Sequence, residues 1–400
     1  MKRYTEPFVA RYHGRLATHV ESTLLRLGFC RTAAMKGRTY RCVRCDSTVN
    51  LYNSCTDRHC PQCMGARRAD WVDKTATLVN RAVTYFQVVF TIPDKLSSLV
   101  LGNRRPLYTL LFHASWRALQ ARVRAECRMD AAATMVLHTW NQRLEHHPHV
   151  HALVPGSGPS LDGQRWVPCR WTKGTRRKPA KPFLVDNKRL GRAFRDHYLA
   201  GVRRLVKAGE LQVQDLAALE QTLLDIETMD WVVYIQPPPK DSSDPQDVVK
   251  YLARYMTGGP ISSGRLIEVK DDRVHFWARS KDKSGRTVRV SYSGVEFMQH
   301  WCLHILPKGF TKVRCYGGWS NTRGGNYLSL CASLSPATPE PVDESTGASE
   351  PAEEAASEEG PRCPQCESPM ELESQQRRPS WRDLFYGPDH PTWIEGVGSG

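Results

Sequence analysis

No stretch of this 400-residue chain approaches the roughly 18–20 consecutive apolar residues that a membrane-spanning helix needs. The best run, Tyr85-Phe86-Gln87-Val88-Val89-Phe90, has the length of a strand. The start, Met1-Lys2-Arg3-Tyr4-Thr5-Glu6, lacks the apolar core of a secretory signal. Without export, thirteen cysteines (an odd number) do not read as a disulfide framework. Acidic charge is scarce as well, with 41 Asp plus Glu against 56 Lys plus Arg, a net +15. A surplus of that size points to a polyanionic partner.

The charge is unevenly placed. Between Glu340 and Glu359 lie eight acidic residues and no Lys or Arg, among Pro, Ser, Ala and Gly. Such a segment buries too little apolar surface to offset its ordering entropy and reads as a disordered linker. Setting aside its −8 leaves +23 on the rest of the chain. Arg165 to Arg195 is the most basic region, with eleven Lys or Arg, including Arg176, Arg177 and Lys178, against Asp186 alone. Trp166, Trp171 and Phe183 interleave these charges. Aromatic platforms among cations suit single-stranded nucleic acid, although a solvated face is nearly as good a reading.

Cys42-x-x-Cys45 is followed after fourteen residues by Cys60-x-x-Cys63. Two such pairs are expected to complete one tetrahedral four-thiolate zinc site, closed and structural, in an N-terminal module over 1–78. Cys30, Cys55 and His59 could form part of a second site, but buried thiols and a positioning imidazole are the favoured reading. Cys363-Pro364-Gln365-Cys366, in a tail over 362–400, is half a site; an upstream thiol such as Cys331 completes it, or it is incomplete.

The most pointed constellation is Glu145-His146-His147-Pro148-His149-Val150-His151, running on to a Pro155-Gly156 turn. As a strand it places His149 and His151 on one face and Val150 in the core, two imidazoles for a divalent cation. His146 and His147, just before Pro148, read as turn residues. The preceding run, Ala133 to Gln142, reads as an antiparallel neighbour, on which His138 and Gln142 share a parity and are both candidate third ligands. A hundred residues on, Asp247 to Met256 reads as a short helix with Asp244 at its N-cap and Gly258-Gly259-Pro260 at its end. Tyr251 and Tyr255, at i and i+4, share its face, with Lys250 and Arg254 beside them. Tyrosines at that spacing are usually core residues. Beside a metal-binding strand in a basic protein they become nucleophiles for a metal-polarised DNA phosphate.

At these residues the chain resembles the two-tyrosine HUH transposases of rolling-circle insertion sequences, bacterial enzymes with an N-terminal zinc module. The resemblance rests on Cys30-Arg31-Thr32-Ala33-Ala34, on Asn53 to Cys63, on His138-Thr139-Trp140, on His149-Val150-His151 and on Tyr251-Leu252-Ala253-Arg254-Tyr255. His304 to Phe310 and Arg314 to Gly318 add to it. It departs at Asp46, where the family often has a glycine-containing turn. It implies nicking and rejoining of single-stranded DNA at element ends through a 5′-phosphotyrosine. By the same resemblance Mg²⁺ or Mn²⁺ sits on His149 and His151, Tyr251 and Tyr255 act as nucleophiles, and the location is the bacterial cytoplasm and nucleoid. The expected fold is α+β, a small zinc module followed by an HUH endonuclease-like antiparallel sheet with flanking helices over 79–335 and a linker over 336–361. Its strands are expected near Tyr85 to Ile92, Thr134 to Trp140, His149 to Val154 and Trp231 to Ile235. A plasmid replication initiator or relaxase using the same chemistry, and a non-catalytic zinc-finger regulator, are the rival readings.

Overall fold

The computed structural model describes residues 2–79, 83–175, 179–236, 253, 259–280, 282, 285–336 and 360–386. Two units result: Met1–Gly65 with Gly294–Met298 and Pro339–Gly400, and Ala66–Ser293 with Gln299–Thr338.

In the first unit, helices Lys2–Tyr12 and Thr18–Phe29 precede a hairpin of strands Gly37–Cys42 and Thr48–Tyr52. A third strand, Met370–Gln375, pairs antiparallel with Gly37–Cys42 and sets Met370 opposite Cys42. The described C-terminal residues, 360–386, therefore belong to the same unit as the N-terminal helices. A two-stranded hairpin leaves an unpaired edge and little apolar cover, and the returning strand supplies both. Tyr40, Cys42, Cys363 and Met370 are buried together, and helix Trp381–Tyr386 brings the Phe385 ring within 6.0 Å of Phe29.

The second unit is built on a five-stranded antiparallel sheet in the order Val233–Gln236, Tyr85–Thr91, His146–Pro155, Ala132–Trp140, Val313–Gly317. Four of these are the strands expected from sequence; the fifth, Val313–Gly317, closes the edge beside Ala132–Trp140. Period-2 alternation divides the faces. Val88, Phe90, Met135, Leu137, Val150 and Ala152 point to one side, into a core shared with Leu107 and Leu111 of helix Arg104–Cys127 and Phe194 and Tyr198 of helix Asn187–Lys207. That second helix starts where the Asp186 carboxylate accepts the Arg189 N–H, an N-cap. A separate antiparallel sheet, Leu266–Lys270, Arg273–Arg279 and Thr287–Ser293, has no counterpart in the sequence reading. The architecture is α+β with antiparallel sheets.

Candidate active site

The other face of the five-stranded sheet carries the histidines. His149 and His151 alternate with buried Val150 on the central strand, as the strand parity requires. His138 lies directly across the ladder from His149. The ring centroids are 5.4 Å apart for His138 and His149, 4.5 Å for His138 and His151, and 4.9 Å for His149 and His151. One nitrogen from each ring falls within 4.8 Å of the others.

Gln142 does not join them. Strand pairing reaches Trp140 opposite His146, and the chain then turns through Asn141 to Glu145. The Gln142 side-chain oxygen accepts the Arg279 N–H at 3.0 Å. Parity was the same for both candidates, but the turn carries Gln142 several residues past the His149 rung, at about 3.3 Å per residue. His138 is the third member.

Two contacts orient the rings. His149 Nδ1–H donates to the His147 carbonyl at 2.8 Å, which leaves Nε2 as its lone-pair donor. Gln87, on the adjacent strand and the same face, places its side-chain amide 2.8 Å from His151 Nδ1. A glutamine within a strand carries no motif, and nothing in the sequence singled it out. Trp140 stacks on His138 at 4.5 Å, with Lys312 above the indole at 5.1 Å. Burial pulls His149 down to about 4 and His151 well below its ordinary value, so both rings are neutral near pH 7. Neutral, converging nitrogens are what a divalent cation requires, so these residues fit the metal that the histidine pair implies.

Tyr251, Tyr255, Lys250 and Arg254, and likewise Arg176, Arg177 and Lys178, lie outside the described residues. Ala253, between the tyrosines, is helical and buried.

The cysteines resolve differently from expectation. Cys42 and Cys45 sit at the tip of the hairpin, whereas Cys60 and Cys63 follow its open end, marked by Gly37 opposite Tyr52. A strand of five or six residues, on the order of 16–20 Å, separates the pairs, so they do not share one metal. Cys60 and Cys63 instead converge with Cys30 and Cys55, which the sequence reading had favoured as simple buried thiols. The Sγ atoms of Cys30 and Cys63 are 3.7 Å apart, those of Cys55 and Cys63 3.7 Å, and those of Cys60 and Cys30 3.5 Å. Four sulfurs about 2.3 Å from one zinc lie about 3.8 Å apart, so this cluster fits Zn²⁺. Hydrogen bonding from the Cys55 thiol holds Cys60 down at about 5, while burial pushes Cys30 up to about 11. The crowded thiols cannot all ionise without a cation between them. His59 is outside the cluster and faces Asp57 at 3.0 Å.

Two family models match this chain, "Transposase zinc-binding domain" over residues 1–92 and "Putative transposase" over residues 132–325. The putative transposase y4qJ of Sinorhizobium fredii is 34% identical over 344 residues, covering 83% of this chain and 82% of its own. This chain belongs to the same transposase family. The transposase for insertion sequence element IS801 of Pseudomonas savastanoi pv. phaseolicola is 26% identical, with 80% and 75% covered. Among solved structures, the conjugative relaxase TrwC bound to oriT DNA overlaps 43% of this transposase and 71% of its own chain at 15% identity. Its TM-score of 0.17 is too low to carry residues across. The histidine cluster falls inside the transposase match and the Cys30 cluster inside the zinc-binding match, while Cys363 and Cys366 lie beyond both. No helix among the described residues is long and apolar enough to cross a membrane.

Proposed function

We propose that the protein is a divalent-metal-dependent nuclease and strand transferase that nicks and rejoins single-stranded DNA at the ends of an insertion element. The route is rolling-circle transposition through a 5′-phosphotyrosine on Tyr251 or Tyr255. The observation that carries this reading is the set of three converging imidazoles, His138, His149 and His151, on a rigid sheet face in a member of a transposase family.

These three residues would hold the Mg²⁺ or Mn²⁺. The ion, when bound, offsets phosphate charge and aligns the phosphorus for in-line attack. An all-imidazole donor set favours Mn²⁺ over the oxygen-seeking Mg²⁺. The His147 carbonyl and Gln87 fix the ring orientations before substrate arrives. A tyrosine hydroxyl attacks phosphorus, the bond to the 3′ oxygen breaks, and the 3′-hydroxyl leaves with a proton while the phenol proton goes to solvent. The ester keeps the energy of the broken phosphodiester, so a later 3′-hydroxyl can rejoin a strand and restore the phenol. Two tyrosines allow two strand ends to be held. Lys250 and Arg254 would flank the phosphate.

Two surfaces suit the DNA. On a short ribbon of Arg170–Trp171 and Pro182–Phe183, Trp171 is 60% exposed and Arg170 lies over the Phe183 ring at 5.0 Å. Arg176, Arg177 and Lys178 belong to the segment between its strands. In the first unit, Arg31, Arg38, Arg377, Arg378 and Tyr52 line a groove of about 430 Å³ suited to a phosphate backbone.

The test is incubation of the full-length protein with single-stranded DNA carrying its element's ends. Cutting is expected with Mn²⁺ or Mg²⁺, and none with EDTA or in a His149→Ala, His151→Ala protein. Binding without cutting under either metal would point instead to a non-catalytic regulator.

A further inference from the structure

Cys42-Val43-Arg44-Cys45-Asp46-Ser47 and Cys363-Pro364-Gln365-Cys366-Glu367-Ser368 fold as two copies of one turn. In the first, Cys42 N–H donates to the Ser47 carbonyl at 2.9 Å and Asp46 N–H to the Cys42 carbonyl at 3.2 Å. In the second, Cys363 N–H donates to the Ser368 carbonyl at 2.9 Å and Glu367 N–H to the Cys363 carbonyl at 2.9 Å. Each turn aims a backbone N–H at its first sulfur, Arg44 at Cys42 Sγ and Gln365 at Cys363 Sγ, both at 3.4 Å. Each closes on a left-handed residue, Asp46 at φ 62 and Glu367 at φ 57. Pairing of Met370–Gln375 with Gly37–Cys42 sets the two turns side by side.

Their sulfurs face one another. Cys42 Sγ is 3.5 Å from Cys366 Sγ, Cys45 Sγ is 3.5 Å from Cys363 Sγ, and Cys366 Sγ is 3.6 Å from Cys45 Sγ. These separations are close to the roughly 3.8 Å edge of a zinc tetrathiolate. Ser47 Oγ lies 3.1 Å from both Cys45 Sγ and Cys363 Sγ, an added donor for thiolates. Cys331, the upstream thiol that sequence had offered to Cys363 and Cys366, packs elsewhere, beside Tyr327.

We propose that the chain binds a second structural Zn²⁺ through Cys42, Cys45, Cys363 and Cys366, so that each end of the chain encodes half of one metal site. The ion closes a ring of more than 300 residues. It makes the segment after the acidic stretch a structural part of the N-terminal module, and it sets Arg377 and Arg378 beside Arg31 and Arg38 in the basic groove. No tyrosine chemistry is involved, so this site stands or falls independently of the nuclease reading.

The test is the zinc content of the full-length protein together with a map of thiol alkylation by mass spectrometry. About two zinc ions per chain are expected, with Cys363 and Cys366 protected alongside Cys42 and Cys45 until a chelator is added. A Cys363→Ser, Cys366→Ser protein should hold one zinc and keep Cys30, Cys55, Cys60 and Cys63 protected. One zinc per wild-type chain, with Cys363 and Cys366 alkylated freely or recovered as disulfides, would overturn the proposal. The wild-type map decides the matter even if the variant fails to fold.

Discussion

The side-chain amide of Gln87 meets His151 Nδ1 at 2.8 Å across two adjacent strands of the central sheet. With its nitrogen toward the ring, the amide donates to Nδ1; turned over, its oxygen accepts Nδ1–H and frees Nε2 as a ligand. The Gln87 nitrogen faces Nδ1 in this structure, so presenting Nε2 to a metal requires the amide to turn its oxygen to the ring. Gln87→Glu, which always accepts, should keep or tighten Mn²⁺ binding. Gln87→Leu should weaken it about 10–100-fold. Mn²⁺ titration followed by electron paramagnetic resonance checks both.

His138 and Gln142 can be separated by the same readout. His138→Ala should abolish nicking while leaving single-stranded DNA binding intact, because the ring belongs to the cluster. Gln142→Ala should nick nearly as well as wild type, since its side chain is engaged with the Arg279 amide. A gel-shift assay beside a nicking assay distinguishes loss of chemistry from loss of binding.

Acid should loosen the hairpin that presents the histidines. His304 Nε2–H donates to the Leu144 carbonyl at 3.0 Å, and the Thr139 hydroxyl donates to Nδ1 at 3.2 Å. Burial pulls this ring down to about 3. A depressed value means that the unfolded chain takes up the proton first. The contribution is therefore complete above the ordinary histidine range and is lost as pH falls toward 3. Unfolding free energies from urea titrations between pH 7 and pH 4 should fall by on the order of 3 kcal/mol through this residue. A His304→Gln protein should be less stable at pH 7 and show a flatter acid limb.

Glu367 occupies the left-handed region at φ 57, where a side chain with a Cβ is strained. Glu367→Gly should stabilise the first unit by about 0.5–1 kcal/mol. Asp46 at φ 62 should gain less, since aspartate tolerates this region better and its carboxylate pairs with Arg41 at 2.9 Å. Thermal melts of the two single variants give the ranking.

What the sequence made legible was local. Alternation of His149, Val150 and His151 assigned the histidine face and the core face correctly, because strand parity needs only neighbouring residues. A neighbouring antiparallel strand was likewise expected before the histidines. Parity could not choose between His138 and Gln142, because that choice lies in where the hairpin turns. The cysteine pairs misled for a related reason. Proximity along the chain suggested that Cys42 and Cys45 share a metal with Cys60 and Cys63, but the length of a strand parts them. Their partner pair stands more than 300 residues away, and only sheet pairing brings it back. Cys30 and Cys55 lack a paired spacing, so although both fall in the motifs that carry the family resemblance, their spacing alone did not set them above buried thiols. Tyr251 and Tyr255 rest on their helical spacing and on the family resemblance.

The central claim is a covalent enzyme–DNA intermediate on tyrosine. Incubating the full-length protein with Mn²⁺ and single-stranded DNA carrying an element end, denaturing it, digesting it and sequencing the DNA-linked peptide tests this most directly. A 5′-phosphate ester on Tyr251 or Tyr255 is expected, lost in the Tyr251→Phe, Tyr255→Phe double variant while DNA binding persists. A covalent adduct that survives in the double variant, or one mapped to any other residue, would contradict it.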